Sequence, residues 1–216
     1  MPRDPHATRN RLLEAATEEF AAYGIAGARV DRIAVGAGAN KNLIYVHFGS
    51  KEGLFAAVVE RAVGELLETV PITPHDLPGY AGALFDFNMS HPRLVRLARW
   101  YGMERPGRQA ELPLAAESTR AKLDAVAAAQ AEGAVFAGLP PRLLLPLLFS
   151  IAMTWSDGGV EPSARDGADG GADGADGGAD GADGGVEGER EDRAAAVALA
   201  ARRHAVVVAV DRLVRP

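Results

Sequence analysis

The sequence predicts an all-α protein, and three observations support that prediction. Alanine, leucine and arginine, which favour helices, are abundant along the 216 residues. Apolar residues recur at helical spacing in most segments, whereas the strict alternation that is typical of half-buried strands is rare. Clusters of glycine and proline separate these segments. A chain of this length, with 48% hydrophobic residues, can bury a sizeable core in one large domain or two small ones.

The first helix is predicted to begin near Asp4 and Pro5 and to end at Gly24. Asp4 is a good N-cap, and proline is favoured in a first helical turn because it has no N–H group to leave unpaired. The apolar residues that follow recur on one helical face. They are Leu12, Leu13, Ala16, Phe20 and Tyr23. This face predicts a helix that packs on a core along its length.

Two short helices are predicted next. Residues 30–37 form a helix that stops at Gly38, because glycine tolerates the left-handed conformation of a C-cap. Asn40 can accept hydrogen bonds from the free N–H groups at the start of a third helix, residues 41–47. The inward-facing residues of these two helices are predicted to be Ile33, Ala34, Ile44 and Phe48.

The fourth helix is predicted to begin at a Ser50 cap and to end before Pro71, and five more helices follow it. They span residues 80–89, 92–103, 112–131, 141–155 and 193–214. The last two carry apolar stripes at helical spacing. These stripes are formed by Leu144, Leu148, Ile151 and Trp155 in one helix and by Val206, Val210 and Leu213 in the other. A strand over residues 205–210 stays open as an alternative, because this run is rich in β-branched residues.

The net charge of −6 comes from one segment, residues 157–192. This segment has 12 acidic and 2 basic residues, so the rest of the chain carries a charge of +4. Residues 166–185 repeat Ala, Asp and Gly without an aromatic or branched apolar side chain. Such a segment cannot compensate its ordering entropy by burial, which predicts a disordered acidic linker. A calcium site is disfavoured, because neither the apolar residue per turn of a β-roll nor the spacing of an EF-hand loop is present.

Composition and motifs exclude or disfavour several classes of protein. The chain has no cysteine, which excludes disulfides and thiolate chemistry and gives no support to secretion. The five histidines lack metal-binding spacing, and no glycine-rich phosphate loop or nucleophile elbow is present, so the sequence predicts neither an enzyme nor a bound metal or cofactor. The longest apolar run, residues 143–155, is interrupted by Pro146 and is too short to span a bilayer. We therefore expect a soluble cytoplasmic protein without a membrane partner.

The two short helices have the arrangement of a helix-turn-helix DNA reader, with a glycine-containing turn between them and a longer helix before them. Residues 33–54 read IAVGAGANKNLIYVHFGSKEGL. This segment resembles the N-terminal signature of the TetR family of bacterial transcriptional regulators. The residues that carry the resemblance are Ile33, Ala34, Ala37, Gly38, Lys41, Tyr45, His47, Phe48, Ser50, Lys51, Glu52 and Leu54.

The resemblance implies a domain organisation and a function. Residues 1–50 would form a helix-turn-helix DNA-binding domain, and residues 51–216 a helical domain for effector binding and dimerisation, interrupted by the acidic linker. The protein would bind a palindromic operator in double-stranded DNA as a homodimer. It would regulate transcription, usually as a repressor, in response to a small-molecule effector. The two apolar stripes near the end of the chain suit the four-helix dimer interface that the family implies.

Eight residues are candidates for DNA contact. A recognition helix needs short polar donors at its exposed N-terminal end for base edges, and cations or hydroxyls beside it for phosphates. Lys41, Asn42 and Leu43 are predicted near bases, and Arg29 is predicted at a phosphate. The resemblance implies phosphate contacts for Tyr45, His47 and Lys51, and Asn40 completes the set of candidates. Leu43 offers an apolar contact to a thymine methyl group. For Tyr45 and His47 the alternative, packing in the three-helix core, stays open.

Aromatic and methionine side chains in the C-terminal part are candidates for an effector cavity, because they adapt to apolar ligands. The predicted ligand contacts are Phe85, Trp100, Tyr101, Met103 and Trp155, and Phe87, Phe136 and Met153 belong to the same set.

The first 53 residues carry 7 basic and 6 acidic side chains, so DNA affinity requires a concentrated basic patch. This balance keeps an alternative function open, a helical small-molecule-binding protein without operator affinity.

Overall fold

The computed structural model describes residues 5–104, 112–156 and 184–215, and this part of the chain is all-α as predicted. In chain order its helices are α1 (Pro5–Gly27), α2 (Val30–Gly36), α3 (Lys41–Phe48), α4 (Lys51–Thr69), α5 (Leu77–Ser90), α6 (Pro92–Glu104), α7 (Pro113–Ala131), α8 (Pro141–Ala152) and α9 (Gly184–Val214). None of these described helices is long and apolar enough to cross a membrane.

A first apolar core lies between α1, α2, α3 and α4, and α6 packs against it. Leu12 and Phe20 of α1, Ile33 of α2 and Ile44 of α3 are buried there, as their spacing predicts. Phe20 meets Phe55 of α4 edge to face, with ring centroids 4.9 Å apart, an arrangement that aromatic quadrupoles favour. This core holds the two short helices against the longer α1 and α4.

A second apolar core joins α5, α7, α8 and α9. Tyr80 and Phe85 of α5 are buried in it, together with Val126 of α7, Leu148 of α8 and Val210 of α9. α5 and α9 pack against each other over a long contact. The C-terminal helices therefore have an apolar core that is separate from the core of the helix-turn-helix.

The predicted caps around the helix-turn-helix are confirmed. The Asn40 side chain accepts a hydrogen bond from the N–H of Asn42 at 2.8 Å, and the Ser50 hydroxyl accepts one from the N–H of Gly53 at 3.0 Å. Gly38 has a φ of 57°, the left-handed conformation that a side chain would strain. These local signals set the end of α2 and the starts of α3 and α4.

The predicted end of the first helix at Gly24 agrees with the backbone, because Gly24 is non-helical and breaks α1, and a short helical stretch continues beyond this kink to Gly27. Gly24 has a φ of 64°, and a β-carbon there would lie within 3.0 Å of side-chain atoms of Glu104 and Trp100. The missing side chain therefore lets α6 approach α1 closely. Because α6 lies close to α1 here, Oε1 of Glu104 accepts a hydrogen bond from the N–H of Ile25 at 3.2 Å.

The limits of α5 and α8 also differ from the predicted ones. α5 begins at Leu77 rather than at residue 80, because the Asp76 carboxylate caps it by accepting a hydrogen bond from the N–H of Gly79 at 2.9 Å. α8 ends at Ala152 rather than at residue 155. Trp155 therefore lies in the turn that follows α8.

The last helix is longer than predicted. α9 begins at Gly184, whereas the sequence predicts its start at residue 193 and a disordered linker over residues 157–192. Residues 184–192 are helical instead, because glutamate and arginine, which favour helices, follow the glycine-rich repeat. Residues 157–183 lie outside the described part of the chain. The strand alternative for residues 205–210 is wrong, since this run is helical and buries Val206 and Val210 in the second core.

The predicted apolar stripes of α8 and α9 lie inside the protomer. Leu144 and Leu148 of α8 and Val206 and Val210 of α9 are all buried in the second core, so they do not form a surface for a second subunit. Other apolar residues of the same helices are exposed. They are Leu143 and Leu147 in α8 and Val197, Leu199 and Val208 in α9. The apolar character of both helices was predictable, but the stripe was assigned to the wrong surface.

Candidate nucleic-acid interface and effector cavity

One face of α3 is exposed and carries polar side chains at its N-terminal end. Lys41 and Asn42 begin the helix and are exposed, and Tyr45 follows with 44% of its surface exposed. Ile44 is fully buried in the first core, as predicted. This arrangement holds three polar side chains on a rigid helix, where a DNA groove can reach them.

Two valines of the helix-turn-helix are also exposed, and both are absent from the predicted set; Val46 lies on α3 itself. Val46 of α3 is 75% exposed and Val35 of α2 is 82% exposed. Apolar side chains of this kind contact thymine methyl groups in the major groove. The signal for Val46 was present in the sequence, because it lies four residues after Asn42 and therefore on the same side of the helix.

Lys41 is held by a carboxylate of the neighbouring helix. Its ammonium lies 2.9 Å from Oδ1 and 3.1 Å from Oδ2 of Asp31 in α2. The hydrogen bond to Asp31 raises the pKa of Lys41 above its ordinary value, so the side chain stays charged at neutral pH. Both side chains are exposed, which leaves the ion pair accessible from solvent.

A buried carboxylate of α1 holds the start of α2. Arg29, the N-cap residue of α2, makes no capping bond with its side chain, but its N–H donates to Oε1 of Glu19 at 2.8 Å. The Arg32 guanidinium donates to the same oxygen at 2.8 Å from Nε and 2.5 Å from Nη2. Burial on its own raises the pKa of Glu19, but the hydrogen bonds from Arg32 and from the Arg29 N–H outweigh it and lower that pKa.

We expect Glu19→Gln to reduce the free energy of unfolding by about 1.5–3 kcal/mol, because charge-assisted hydrogen bonds to the start of α2 are lost. Thermal unfolding at pH 7 measures the change, with Glu14→Gln at an exposed position of α1 as the control. The stabilisation is present above the ordinary carboxyl pKa, and it is lost as the pH falls through the lowered pKa of folded Glu19. A difference that does not shrink on acidification would contradict the role of this charge.

Lys51 is partly buried and hydrogen-bonds to the backbone. Its ammonium donates to the carbonyl oxygens of Ala28 at 2.9 Å and of Ala26 at 3.5 Å. Lys51 therefore ties the start of α4 to the connection between α1 and α2. A phosphate contact from Lys51 stays a prediction. It would use the third N–H donor of the ammonium, because the two carbonyl oxygens occupy the other two.

The remaining predicted DNA contacts differ in their accessibility. Leu43 is partly buried and packs against the first core, which leaves less of it for a thymine methyl group. His47 is half-buried beside Phe48, with ring centroids 6.0 Å apart. Arg29 is exposed at the start of α2, and the Asn40 side chain is occupied by its own helix cap. Apart from Asn40, the candidate residues that are exposed are therefore Arg29 at the start of α2 and Lys41, Asn42 and Tyr45 in α3.

A cavity of about 110 Å³ lies between α4, α5, α6 and α8. Its walls are largely apolar, and Asn88 contributes a polar side chain that is 8% exposed. The amide of Asn88 donates to the carbonyl oxygen of Ala152 at 3.4 Å. Other lining residues include Val59, Ala62, Leu84, Phe87, Phe149 and Met153. A recessed apolar space with one polar group fits a small apolar ligand.

The five predicted ligand contacts lie outside the wall of this cavity, although Phe87 and Met153 from the same aromatic and methionine set belong to it. The five are Phe85, Trp100, Tyr101, Met103 and Trp155. Phe85 and Trp155 pack edge to face in the second core, with ring centroids 6.4 Å apart. Tyr101 is buried in the first core.

Trp100 and Met103 have other surroundings. Trp100 packs beside the Gly24 kink, and Met103 is 65% exposed near the end of α6. Aromatic composition alone therefore does not locate the cavity, because its wall is built mainly from aliphatic side chains of four helices.

Two polar groups lie against Phe149, whose side chain also lines the cavity. Tyr80 packs edge to face on Phe149, and its buried hydroxyl has no hydrogen-bond partner among the described residues. Burial raises the pKa of Tyr80 far above its ordinary value. The Lys122 ammonium of α7 lies 5.4 Å from the centre of the Phe149 ring, and burial lowers the pKa of Lys122. Two side chains that carry hydrogen-bond donors therefore pack beside Phe149 of the cavity wall.

The chain matches known proteins along most of its length. Residues 12–58 match the family described as bacterial regulatory proteins, tetR family, and residues 76–176 match the tetracyclin repressor-like C-terminal domain. The HTH-type transcriptional repressor SCO4008 of Streptomyces coelicolor is 46% identical over 153 residues, which cover 69% of this chain and 79% of that protein. The chain belongs to the TetR family. Like its relatives in this family, it is a DNA-binding transcriptional regulator.

Solved structures of transcriptional regulators share this fold. SCO4942, described as a transcriptional regulator of Streptomyces coelicolor, is 36% identical and aligns with a TM-score of 0.71 over 97% of this chain and 99% of that chain. HlyIIR, a hemolysin II transcriptional regulator, aligns with a TM-score of 0.55 at 21% identity over 69% of this chain and 87% of its own. The similarity to HlyIIR supports the fold alone.

Proposed function

We propose that this TetR-family protein is an effector-responsive repressor that binds a pseudo-palindromic operator as a homodimer. The exposed face of α3, with Lys41 and Asn42 at its N-terminal end, is the observation that carries the DNA-reading part of the proposal. The name of SCO4008 as a transcriptional repressor supports the direction of regulation. In this proposal the protein acts by binding DNA and an effector rather than by catalysing a reaction.

In the proposed complex, α3 lies in the major groove. Asn42 reads adenine through its amide, Lys41 donates to guanine, and Val46 contacts a thymine methyl group. Tyr45 and Arg29 lie beside these residues and hold phosphates, which fixes the register of the helix without selecting a sequence. The two recognition helices of a dimer must lie about 34 Å apart to enter successive major grooves.

The proposed effector site is the cavity between α4, α5, α6 and α8. α4 follows the recognition helix directly, and α6 packs against α1 at the Gly24 kink. A ligand that favours one position of these two helices changes the separation of the recognition helices, so effector and operator binding become coupled. The cavity wall favours a small apolar molecule with one hydrogen-bonding group for Asn88.

Selection of bound sequences from a random DNA pool tests the proposed function. We expect enrichment of an inverted repeat whose half-sites lie one helical turn, or a multiple of it, apart. A folded, dimeric protein that enriches no repeat would favour the alternative, a helical small-molecule-binding protein without operator affinity. The ion pair between Lys41 and Asp31 is the observation that supports this alternative, because it neutralises a cation on the exposed face of α3.

Filling the cavity is expected to remove the response to the effector. Ala62→Leu adds apolar atoms to the wall that α4 provides, so apolar ligands should lose their thermal shift while operator affinity is retained. Differential scanning fluorimetry with a panel of apolar compounds, followed by operator titration, measures both quantities. Ala127→Leu at an exposed position of α7 is the matched control. Ligand shifts that persist in Ala62→Leu would place the effector site elsewhere.

A further inference from the structure

The ion pair between α2 and α3 lies on the surface that the proposed function turns towards DNA. Asp31 belongs to the first turn of α2, and Lys41 is the first residue of α3. The Lys41 ammonium is within 3.1 Å of both carboxylate oxygens, and the side chains of Lys41 and Asp31 are 43% and 73% exposed. The pair therefore joins the N-terminal ends of the two helices in solvent, where DNA can approach it.

The Asp31 carboxylate weakens the attraction between the Lys41 ammonium and the phosphates of DNA. A free ammonium on a DNA-facing surface binds phosphate and releases a counterion, whatever the base sequence. A carboxylate 2.9 Å away cancels the net charge at this position and repels other anions. A phosphate contact to Lys41 therefore adds little binding free energy as long as Asp31 remains paired with Lys41.

The pair still leaves Lys41 able to bind a neutral acceptor. An ammonium has three N–H donors, and the two oxygens of the Asp31 carboxylate occupy at most two of them. The remaining donor can reach O6 or N7 of guanine, which are uncharged acceptors in the major groove. The pairing with Asp31 therefore favours a guanine edge over a phosphate.

We propose that Asp31 is a specificity-determining residue that acts through Lys41, because it restrains the ammonium from phosphates and directs its free donor to a guanine edge. This inference rests on the proposed function, in which α3 enters the major groove. The inference goes further because it assigns a role in DNA recognition to Asp31, an acidic side chain on a surface that faces the negatively charged DNA. Without Asp31, Lys41 binds all DNA more tightly and contributes less to selecting the operator.

Asp31→Asn tests this role, because the substitution removes the charge and keeps the shape of the side chain. We expect tighter binding of non-operator DNA, together with an additional loss of about three- to fourfold in affinity between 50 and 200 mM salt, as one added phosphate contact predicts. Fluorescence anisotropy with the selected operator and with a scrambled duplex measures both effects. The ratio of operator to scrambled affinity should fall. Asp124→Asn, at an exposed position of α7, controls for the change in net charge.

A second substitution, Lys41→Met, separates action through Lys41 from direct repulsion of DNA by Asp31. In the Lys41→Met background, Asp31→Asn should leave the salt dependence unchanged, because no ammonium is released. An equal gain in non-operator affinity in both backgrounds would overturn the proposal, as would an unchanged ratio of operator to scrambled affinity in Asp31→Asn alone. If the parent protein selects no operator, the proposed function fails first and the inference falls with it.

Discussion

The double variant Lys41→Ala/Asn42→Ala is expected to bind the selected operator about 100-fold more weakly than the parent, because the two side chains proposed to donate to base edges are lost. The fold should be retained. The Asn40 cap accepts its hydrogen bond from the backbone N–H of Asn42, which alanine keeps, and the Lys41 side chain contributes only an exposed ion pair. Fluorescence anisotropy measures the affinity, and thermal unfolding monitored by circular dichroism checks the fold.

Arg120→Ala is the matched control for this loss, since it removes an exposed cation from α7 and should leave operator affinity unchanged. Equal operator affinity of the double variant and the parent would mean that another surface reads the DNA. Lys51→Ala is a poorer probe of DNA contact. Because Lys51 holds the carbonyl oxygens of Ala28 and Ala26, its removal loosens the connection between α1 and α2 and lowers affinity for every sequence alike.

The recognition helix could be predicted because its signals are local. Asn40, Ser50 and Gly38 set the helix limits through neighbours at most three residues away, and the burial of Ile44 follows from helical periodicity. The break at Gly24 could be predicted as well, because a glycine at the end of an apolar repeat is typical of a helix end. The close approach of Glu104 and Trp100 of α6 could not, because these residues are distant from Gly24 in sequence.

The hydrogen-bond partners of the charged side chains could not be predicted from the sequence either. A lysine in the family's motif indicates a phosphate contact, but the structure places the Lys51 ammonium on two backbone carbonyls. Glu19 lies ten residues before Arg29, and no sequence rule pairs it with the start of α2. Side-chain partners across helices depend on packing angles, which residue spacing along one helix does not determine.

The position of the proposed effector cavity could not be predicted from the sequence either. Phe87 and Met153 line it, whereas Trp100 and Tyr101, from the same set of aromatic and methionine side chains, pack near the first core. A residue's tendency to be buried is readable from its type, but whether it borders a cavity depends on how neighbouring helices meet. The apolar stripes of α8 and α9 were assigned to the wrong surface for this reason, since a second core inside the protomer already takes them.

The surface proposed for dimerisation is therefore the other side of these helices. Leu143 and Leu147 of α8 are 49% and 45% exposed, and Val208 of α9 is 37% exposed. Residues 192–201 of α9 are all exposed in the protomer, and a helical stretch without packing is marginal in water. A second copy of the chain would cover both features, as the interface of a homodimer requires.

Leu147→Glu is expected to turn the dimer into a monomer and to weaken operator binding at least as much as the loss of base contacts does, because a monomer engages one half-site only. In the separated subunit the new carboxylate lies in water, so the protomer stays folded, whereas in the dimer it would be stranded in an apolar interface at a cost of several kcal/mol. Sedimentation velocity measures the oligomeric state, and circular dichroism measures the fold.

Leu148→Glu and Val210→Glu provide the contrast, since both residues are fully buried in the protomer and their variants should lose the fold together with the dimer. A Leu147→Glu protein that stays dimeric with an unchanged dissociation constant would place the interface elsewhere, and a folded Leu148→Glu monomer would return the interface to the stripe of Leu144 and Leu148.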